Sequence, residues 1–412
     1  MKRQITIGEI AEINANSLTQ KDMFQEIMYL DTGNITRNEI DNIQVLNVMM
    51  DKIPSRAKRK VKDKTIIYST VRPNQEHYGF LENPGDNFII STGFSTIDVY
   101  DENTDEKFIY YLLTQKHITD YLHTIGENSV SSYPSINPDD IANLKFAVPD
   151  LKTQQSIAAV LSALDKKIAL NKQINARLEE MAKTLYDYWF VQFDFPDANG
   201  KPYKSSGGEM VFDETLKREI PKGWEVKSLW KIAKYFNGLA LQKYRPENEL
   251  DDFLPVIKIR EMNEGVSSNT ERAKTNIPKE AIIDDGDILF SWSATLEIKI
   301  WSQGKGALNQ HIFKVTSSEY PKYFFYFELL NYLKHLKMIA YLRKTTMGHI
   351  TQDHLKQAYI CIPSQPLLEK LEKIVTPIFQ KMLITQKQNH QLTQLRDFLL
   401  PMLMNGQVSV AE

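Results

Sequence analysis

Three side chains in the second half of the chain have the types and the spacing of a metal-dependent nuclease. Asp287 is followed ten positions later by Glu297, and Lys299 stands two positions beyond that. Carboxylates of this kind hold a divalent cation that activates a nucleophile, and a nearby lysine can stabilise developing charge. In a related segment of the first half, Thr65 stands where Asp287 does. A metal-dependent DNA endonuclease is therefore the alternative function, not the leading one.

A second set of side chains is suited to binding phosphate. Seven basic residues fall within the segment DKIPSRAKRKVKDK: Lys52, Arg56, Lys58, Arg59, Lys60, Lys62 and Lys64. Local charge of this kind neutralises DNA phosphates whatever the formal net charge of the whole chain, which is −2. The same charges can also keep an exposed edge strand from pairing with another chain.

Motifs for chemistry on the chain itself are missing. The sequence has no P-loop, no G-x-G-x-x-G and no H-E-x-x-H. Its one cysteine, Cys361, excludes an intrachain disulfide and a cysteine-based zinc site. We therefore expect no catalytic residues, no metal and no cofactor. Nothing resembles a signal peptide, and no apolar run reaches the ~20 residues of a membrane span, so we expect a cytoplasmic protein.

The elements that position these side chains occur twice. INPDDIANLKFAVP, from Ile136, aligns without a gap with ITQDHLKQAYICIP, from Ile350, at an offset of 214. At a second offset of 222, Ile7 aligns with Leu229 and DKTIIYS with DGDILFS. This spacing is far longer than a solenoid repeat of ~20–50 residues. It predicts two copies of one domain, with loops that differ between them.

Each copy mixes strand and helix patterns. EIMYLDTGN, KTIIYSTVRP and NFIISTGFSTIDVY read as strands in the first copy, and LPVIKIREM, GDILFSWS and HIFKVT do so in the second. Residues 105–125 have helical periodicity with an acidic first turn. We therefore predict an α+β fold with two similar domains at residues 1–147 and 223–361.

Each domain runs into a long helix with the apolar spacing of a coiled coil, over residues 148–190 and 362–412. Asn175 and Asn389 occupy equivalent seam positions, where a polar residue fixes helix register. An internal pseudo-twofold makes the helices antiparallel and predicts that Asn175 pairs with Asn389. Each helix would span about 45 Å, comparable with one turn of B-DNA. Residues 191–222, rich in Gly, Pro, Ser and charge, read as a linker.

The segment VPDLKTQQSIAAVLSALDKKIALNKQINARLEEMAKTLYDYWFVQFD closely resembles the central conserved region of specificity subunits of type I restriction-modification enzymes. EIPKGWEVKSLWKIA resembles the entry into the second target-recognition domain of that family, and IPSQPLLEKLEKIV with LRDFLLPMLMNGQV resembles the distal conserved region. The resemblance extends over essentially the whole chain.

The resemblance implies a division of labour. Two target-recognition domains each read one half of a bipartite DNA target, and the conserved spacer helices bind two methyltransferase (M) subunits. Restriction (R) subunits join through the complex. Adenine methylation requires a flipped base, a pocket and a cofactor site. The resemblance therefore implies that this chain selects the DNA and that its partners carry the methyltransferase and deoxyribonuclease activities.

Base reading requires hydrogen-bonding side chains in the major groove and cations on the phosphates. The candidates in the first domain are Arg56, Lys58, Arg59, Lys60, Ser69, Thr70 and Arg72. Those in the second domain are Lys258, Arg260, Ser291, Trp292, Ser293, Lys305, Asn309, Gln310 and His311. The paired loops before Ile136 and Ile350 add Ser131, Ser132, Tyr133, Arg343, Lys344, Thr345, Thr346 and His349. Besides the nuclease, a scaffold whose globular domains bind protein is a third possibility.

Overall fold

The computed structural model describes residues 2–19, 21–129, 133–248, 250–342 and 350–410. The chain divides into two compact units. The first unit comprises residues 1–166 and 393–412, and the second comprises residues 167–392. Both units have mixed α and β content, as the sequence predicts. Among the described residues, no helix has the length and apolar character that a membrane span requires.

The strands of the first unit are short. They are β1 (Arg3–Thr6), β2 (Ala11–Ile13), β3 (Glu26–Leu30), β4 (Ile35–Thr36), β5 (Glu39–Ile40), β6 (Gln44–Asn47), β7 (Ala57–Lys60), β8 (Thr65–Ser69), β9 (Tyr78–Leu81), β10 (Phe88–Ser91), β11 (Phe94–Val99) and β12 (Lys145–Val148). Its helices are α1 (Ile7–Ile10), α2 (Glu106–Leu113), α3 (Lys116–Glu127), α4 (Pro138–Ala142) and the first part of α5 (Leu151–Tyr186).

The second unit repeats this series after the end of α5. Its strands are β13 (Met210–Asp213), β14 (Arg218–Pro221), β15 (Glu225–Ser228), β16 (Lys234–Asn237), β17 (Phe253–Ile257), β18 (Arg272–Lys274), β19 (Ile282–Ile283), β20 (Ile288–Ser291), β21 (Glu297–Ile300), β22 (Gly306–Leu308), β23 (Ile312–Thr316) and β24 (Tyr359–Ile362). Its helices are α6 (Leu229–Ile232), α7 (Ile259–Glu264), α8 (Lys322–Leu342), α9 (Gln352–Gln357) and most of α10 (Gln365–Asn405).

The main sheets of the two units have the same topology, whereas the β4–β5 hairpin of the first unit and the β13–β14 hairpin of the second have no counterpart among the described residues. The order β2-β11-β8-β9 in the first unit corresponds to β16-β23-β20-β21 in the second, and β6-β3-β10-β7 corresponds to β18-β17-β22-β19. The pairs β3–β10 and β17–β22 are parallel, and the other pairs in these sheets are antiparallel. Two-stranded ladders of β1 with β12 and β15 with β24 complete the correspondence. The sequence repeat is therefore a repeat of fold.

The predicted helix over residues 105–125 is two helices. Asp105 caps α2 by accepting a 2.8 Å hydrogen bond from the backbone N–H of Phe108, as an acidic N-cap residue should. Gln115 has an extended backbone and separates α2 from α3. Its side-chain amide donates to the carbonyl oxygen of Leu112 at 3.2 Å and satisfies the end of α2. The uninterrupted apolar periodicity hid this break.

The segment predicted as a linker is folded. After a short π-helix (Asp187–Val191), residues 210–221 form the β13–β14 hairpin. Phe193 and Phe195 are buried, and the ring of Phe195 stacks on Tyr203 and on Trp224 at centroid distances of 4.6 and 5.4 Å. The polar composition did not reveal these aromatic contacts, which fix the connection within the second unit.

Helices α5 and α10 run antiparallel within each unit, as predicted. In the first unit Asp165 of α5 pairs with Arg396 of α10. In the second unit Ile168 accepts a hydrogen bond from Asn389, while Glu179 and Phe379 both contact Tyr326. Side chains at the predicted seam are buried or half-buried along both helices.

Candidate DNA-reading surfaces

The turn after β8 presents a single exposed arginine. Ser69 is buried, and its hydroxyl donates to the carbonyl oxygen of Val71 at 2.9 Å. The Thr70 hydroxyl donates to the carbonyl oxygen of Gly93 at 2.9 Å. Arg72 is exposed and has a left-handed backbone, with a φ of 48°. Ser69 and Thr70 therefore shape the turn, and Arg72 is the side chain of this set available to a ligand.

The same turn is joined to the loop before Ile136. Arg72 donates from its backbone N–H to the carbonyl oxygen of Pro134 at 2.8 Å, and Ile136 donates to Thr70 at 2.9 Å. The Arg72 guanidinium lies 5.7 Å from the ring centroid of Tyr133, a cation–π distance. Two loops that the sequence singled out separately thus form one surface.

The basic strand β7 is the last strand of its sheet, and its outer side forms backbone hydrogen bonds with residues 16–18. Arg56 and Lys58 are exposed. Partial burial lowers the pKa of the Arg59 guanidinium, whose Nε has no hydrogen-bond partner among the described residues. Lys60 instead pairs with Asp22 and, together with hydrogen bonds from Thr19, lowers the pKa of that carboxyl to about 2. Arg56, Lys58 and Arg59 are therefore the better phosphate ligands of the four.

The second unit places a tryptophan where the first has Thr70. Trp292 donates from Nε1 to Asn237 at 2.9 Å, and its ring lies 5.7 Å from that of His311. Ile350 donates to the Trp292 carbonyl oxygen at 3.0 Å, as Ile136 does to Thr70. The backbone hydrogen bond that holds this turn is thus the same in both units, whereas the side chain at the turn differs.

The remaining candidates of the second unit fall into two groups. Lys305 and His311 are exposed and Gln310 is half-buried, so these can meet a ligand. Lys258 and Arg260 are already paired with Glu271 and Glu261. Three candidates, Ser291, Ser293 and Asn309, are buried. The Ser291 hydroxyl donates to the carbonyl oxygen of Thr295, and the side-chain oxygen of Asn309 accepts from the backbone N–H of His311. Ser131, Ser132, Arg343, Lys344, Thr345, Thr346 and His349 lie outside the described residues.

A family model for the type I restriction modification DNA specificity domain matches residues 2–180 and 221–394. The chain belongs to this family. It is 27% identical to the HindI specificity subunit of Haemophilus influenzae, with 98% of this chain and 99% of that protein covered. It is 28% identical to the MjaIX specificity subunit of Methanocaldococcus jannaschii, over 98% and 93% of the two chains.

A solved structure supports the fold of this specificity-family chain. The crystal structure of a type I restriction-modification S subunit from M. genitalium matches with a TM-score of 0.52 at 16% identity. The match covers 98% of this chain and 96% of that one. The chain is a specificity subunit of the type I restriction-modification class, whose task is recognition of a DNA target.

The proposed nuclease cluster does not assemble. In the β20–β21 hairpin Glu297 lies opposite Ser291, four positions along the strand from Asp287, or about 13 Å. Asp287 pairs with Lys314 at 2.8 Å. Carboxylates that bind one metal ion directly must both lie within about 2–2.6 Å of it. Asp287 and Glu297 therefore cannot share a cation in this fold.

The predicted pairing of Asn175 with Asn389 is wrong. Asn389 Nδ2 donates to the backbone carbonyl oxygen of Ile168 at 3.1 Å. Ile168 stands seven positions before Asn175, about 10 Å along the helix. The antiparallel register therefore places the two equivalent asparagines on either side of the crossing. Their role in fixing helix register remains a prediction.

The sequence patterns did not reveal the residues that attach helices α2 and α8 to the long helices. These are Tyr111, Asp165 and Arg396 in the first unit and Tyr326 and Glu179 in the second. The sequence repeat nevertheless marks both tyrosines as equivalent. Tyr111 stands four positions after Lys107, and Tyr326 stands four positions after Lys322 in the corresponding helix.

Proposed function

We propose that each unit reads one half of a bipartite DNA target, with an unread spacer between the halves. The observation that carries this proposal is the repeated strand order, which presents different side chains from equivalent turns. One turn presents Arg72 and Tyr133, and the equivalent region of the other presents Trp292 and His311. Two domains that share a strand order but present different side chains are suited to reading two different half-sites.

The corresponding domain assignment is part of the proposal. The target-recognition domains are residues 1–147 and 223–361, and the spacer helices are residues 148–190 and 362–412. Residues 191–222 connect the first spacer helix to the second domain. The chain works in the cytoplasm and has no cofactor of its own. Base flipping and methyl transfer belong to the partner subunits.

Two methyltransferase subunits dock on the helices. Leu170 on α5 and Ile384 on α10 are equivalent in the repeat, and they are 49% and 51% exposed. Met181 and Leu395 are likewise equivalent, at 52% and 45% exposure. Eleven residues are close to three helical turns, so each helix exposes its two apolar side chains on one face. Equivalent apolar faces on the two helices suit two copies of one partner. Restriction subunits join through this complex.

The endonuclease alternative would need Asp287 and Glu297 on one cation, and the β20–β21 register separates these two residues. A protein-binding scaffold remains distinguishable by experiment. The test is to express the chain with its methyltransferase partner and sequence the methylated genomic DNA. We expect methylated adenines in one bipartite motif with a fixed spacer. A contiguous motif, or no sequence-specific methylation from a complex that assembles, would overturn the proposal.

A further inference from the structure

A hydrogen-bonded network joins helix α2 of the first unit to both long helices. The Tyr111 hydroxyl, on α2, donates a 2.6 Å hydrogen bond to Asp165 on α5. Arg396 on α10 donates to the other oxygen of Asp165 at 3.0 Å. Burial and the neighbouring carboxylate raise the pKa of Tyr111, so its hydroxyl stays protonated and remains a donor. Charge-assisted bonds of this type are short and strong.

The second unit has a matching attachment. Tyr326 on α8 donates a 2.7 Å hydrogen bond to Glu179 on α5. Its ring meets Phe379 of α10 edge to face, at a centroid distance of 5.5 Å. Tyr326 thus contacts both long helices directly, whereas Tyr111 contacts α5 and is linked to α10 through Asp165 and Arg396. The partners differ, but the arrangement recurs.

In the first unit, packed aromatic rings connect this network to the candidate reading turn. Tyr111 contacts Tyr110 at 5.1 Å between centroids, Tyr110 contacts Tyr78 at 6.3 Å, and Tyr78 stacks on Tyr68 at 5.7 Å. All four rings are buried. Tyr68 belongs to β8, the strand that ends just before the turn carrying Arg72. Because close-packed interiors resist displacement, the turn is held in a defined position on the helices.

We propose that the Tyr111–Asp165–Arg396 network sets the spacer length that the protein accepts between its two half-sites. Tyr326 and Glu179 do the same for the second unit. These are positioning residues, since they act through the reading turns. Successive base pairs are only about 3.4 Å apart along the duplex. One base pair more or less therefore moves a half-site by about 3.4 Å along the duplex and turns it by about 35° around the axis. A reading turn that is no longer held on the helices can shift and rotate to follow it. The inference rests on the proposed function.

The test compares two adjacent tyrosines. Tyr111→Phe removes the hydrogen bond and keeps the ring, whereas Tyr110→Phe removes a hydroxyl that donates no hydrogen bond among the described residues. Each full-length variant is expressed with the methyltransferase partner in cells that lack the restriction subunit. Genomic methylation is then sequenced at the same half-sites with every spacer length. Asp165→Leu is a stronger second variant, and thermal melting of the purified complexes reports folding.

We expect Tyr111→Phe to methylate the same half-sites and to raise methylation at spacers one base pair off by about tenfold. That factor corresponds to one hydrogen bond of about 1.4 kcal/mol. Tyr110→Phe should keep the wild-type spacer profile. An unchanged profile in both Tyr111→Phe and Asp165→Leu, or a uniform loss at all spacers, overturns the inference. If the wild type itself marks no bipartite motif, the proposed function fails instead.

Discussion

Asn389 donates its side-chain hydrogen bond to the backbone carbonyl oxygen of Ile168 rather than to its repeat equivalent, Asn175. The crossing of the two helices is consequently rich in polar groups without partners. Among the described residues, these atoms are Asn171 Nδ2, Asn175 Oδ1, Gln386 Oε1 and Asn389 Oδ1. Such groups reduce stability, and it stays our prediction that Asn175 and Asn389 are kept at the seam for the helix register they impose.

Replacing Asn175 with leucine should stabilise the second unit. A buried polar atom without a partner costs about 1–3 kcal/mol, so we expect Asn175→Leu to raise the Tm by about 2–12 °C. Asn389→Leu should gain less because it also removes the hydrogen bond to Ile168. Thermal unfolding of both variants measures the difference. A lower Tm for Asn175→Leu would show that its side chain is satisfied.

Asp287→Asn should lower stability without removing a cleavage activity. Asp287 and Lys314 are 21% and 18% exposed, and the variant leaves the lysine without its charge partner. We expect a loss of about 1–3 kcal/mol in the free energy of unfolding. Glu297→Gln, at the more exposed pair with Lys299, is the control and should change less. Magnesium-dependent DNA cleavage by the purified chain that disappears in Asp287→Asn would restore the endonuclease alternative.

Glu328 should make the second unit less stable as the pH rises. Burial raises its pKa to about 7 from an ordinary 4.5, and the Tyr186 hydroxyl donates to it. The folded state therefore binds more protons than the unfolded state between these values, and stability is lost as the pH rises through them. We expect Glu328→Gln to be more stable than wild type by about 1–3 kcal/mol at pH 8 and nearly equal at pH 4.

Chemical unfolding at the two pH values measures this effect. Glu319→Gln, at an exposed position, is the control and should show no such difference. An equal change for Glu328→Gln at pH 4 and pH 8 would mean that the carboxyl titrates normally in the folded protein.

Much of the architecture is predictable from sequence because it depends on periodicity. The repeat located equivalent strands such as β8 and β20, and the apolar seam located both long helices. The break at Gln115 was not predictable, since it depends on one side chain capping Leu112 within an uninterrupted helical pattern. The pairing of Asn389 also depends on helix register, which pseudo-symmetry alone does not fix.

The candidate surface was predictable only by residue type. Sequence indicated that Ser69, Thr70 and Arg72 belong together, but only the fold shows that Ser69 is buried and Arg72 exposed. The sequence shows that Lys258 is positively charged, but it does not show that this charge is already paired. Its pairing with Glu271 requires strands β17 and β18 to be adjacent, which is long-range information.

Arg72→Ala should weaken DNA binding at the half-site read by the first unit. An exposed arginine that contacts a base contributes about 1–3 kcal/mol, so we expect Kd to rise between about 5-fold and 150-fold. Lys116→Ala is the control, because Lys116 is 81% exposed and pairs with Asp120 on α3. Binding of duplexes carrying each half-site, measured at fixed salt, separates the two units. Equal losses for both variants would indicate a general charge effect.

The most direct test of the central claim is a domain exchange. Residues 1–147 are replaced by the corresponding domain of a relative with a different target, and the methylated motif of the resulting complex is sequenced. We predict that one half of the bipartite motif changes, while the other half and the spacer length stay the same. An unchanged motif, or a change in both halves, would contradict the assignment of one half-site to each unit.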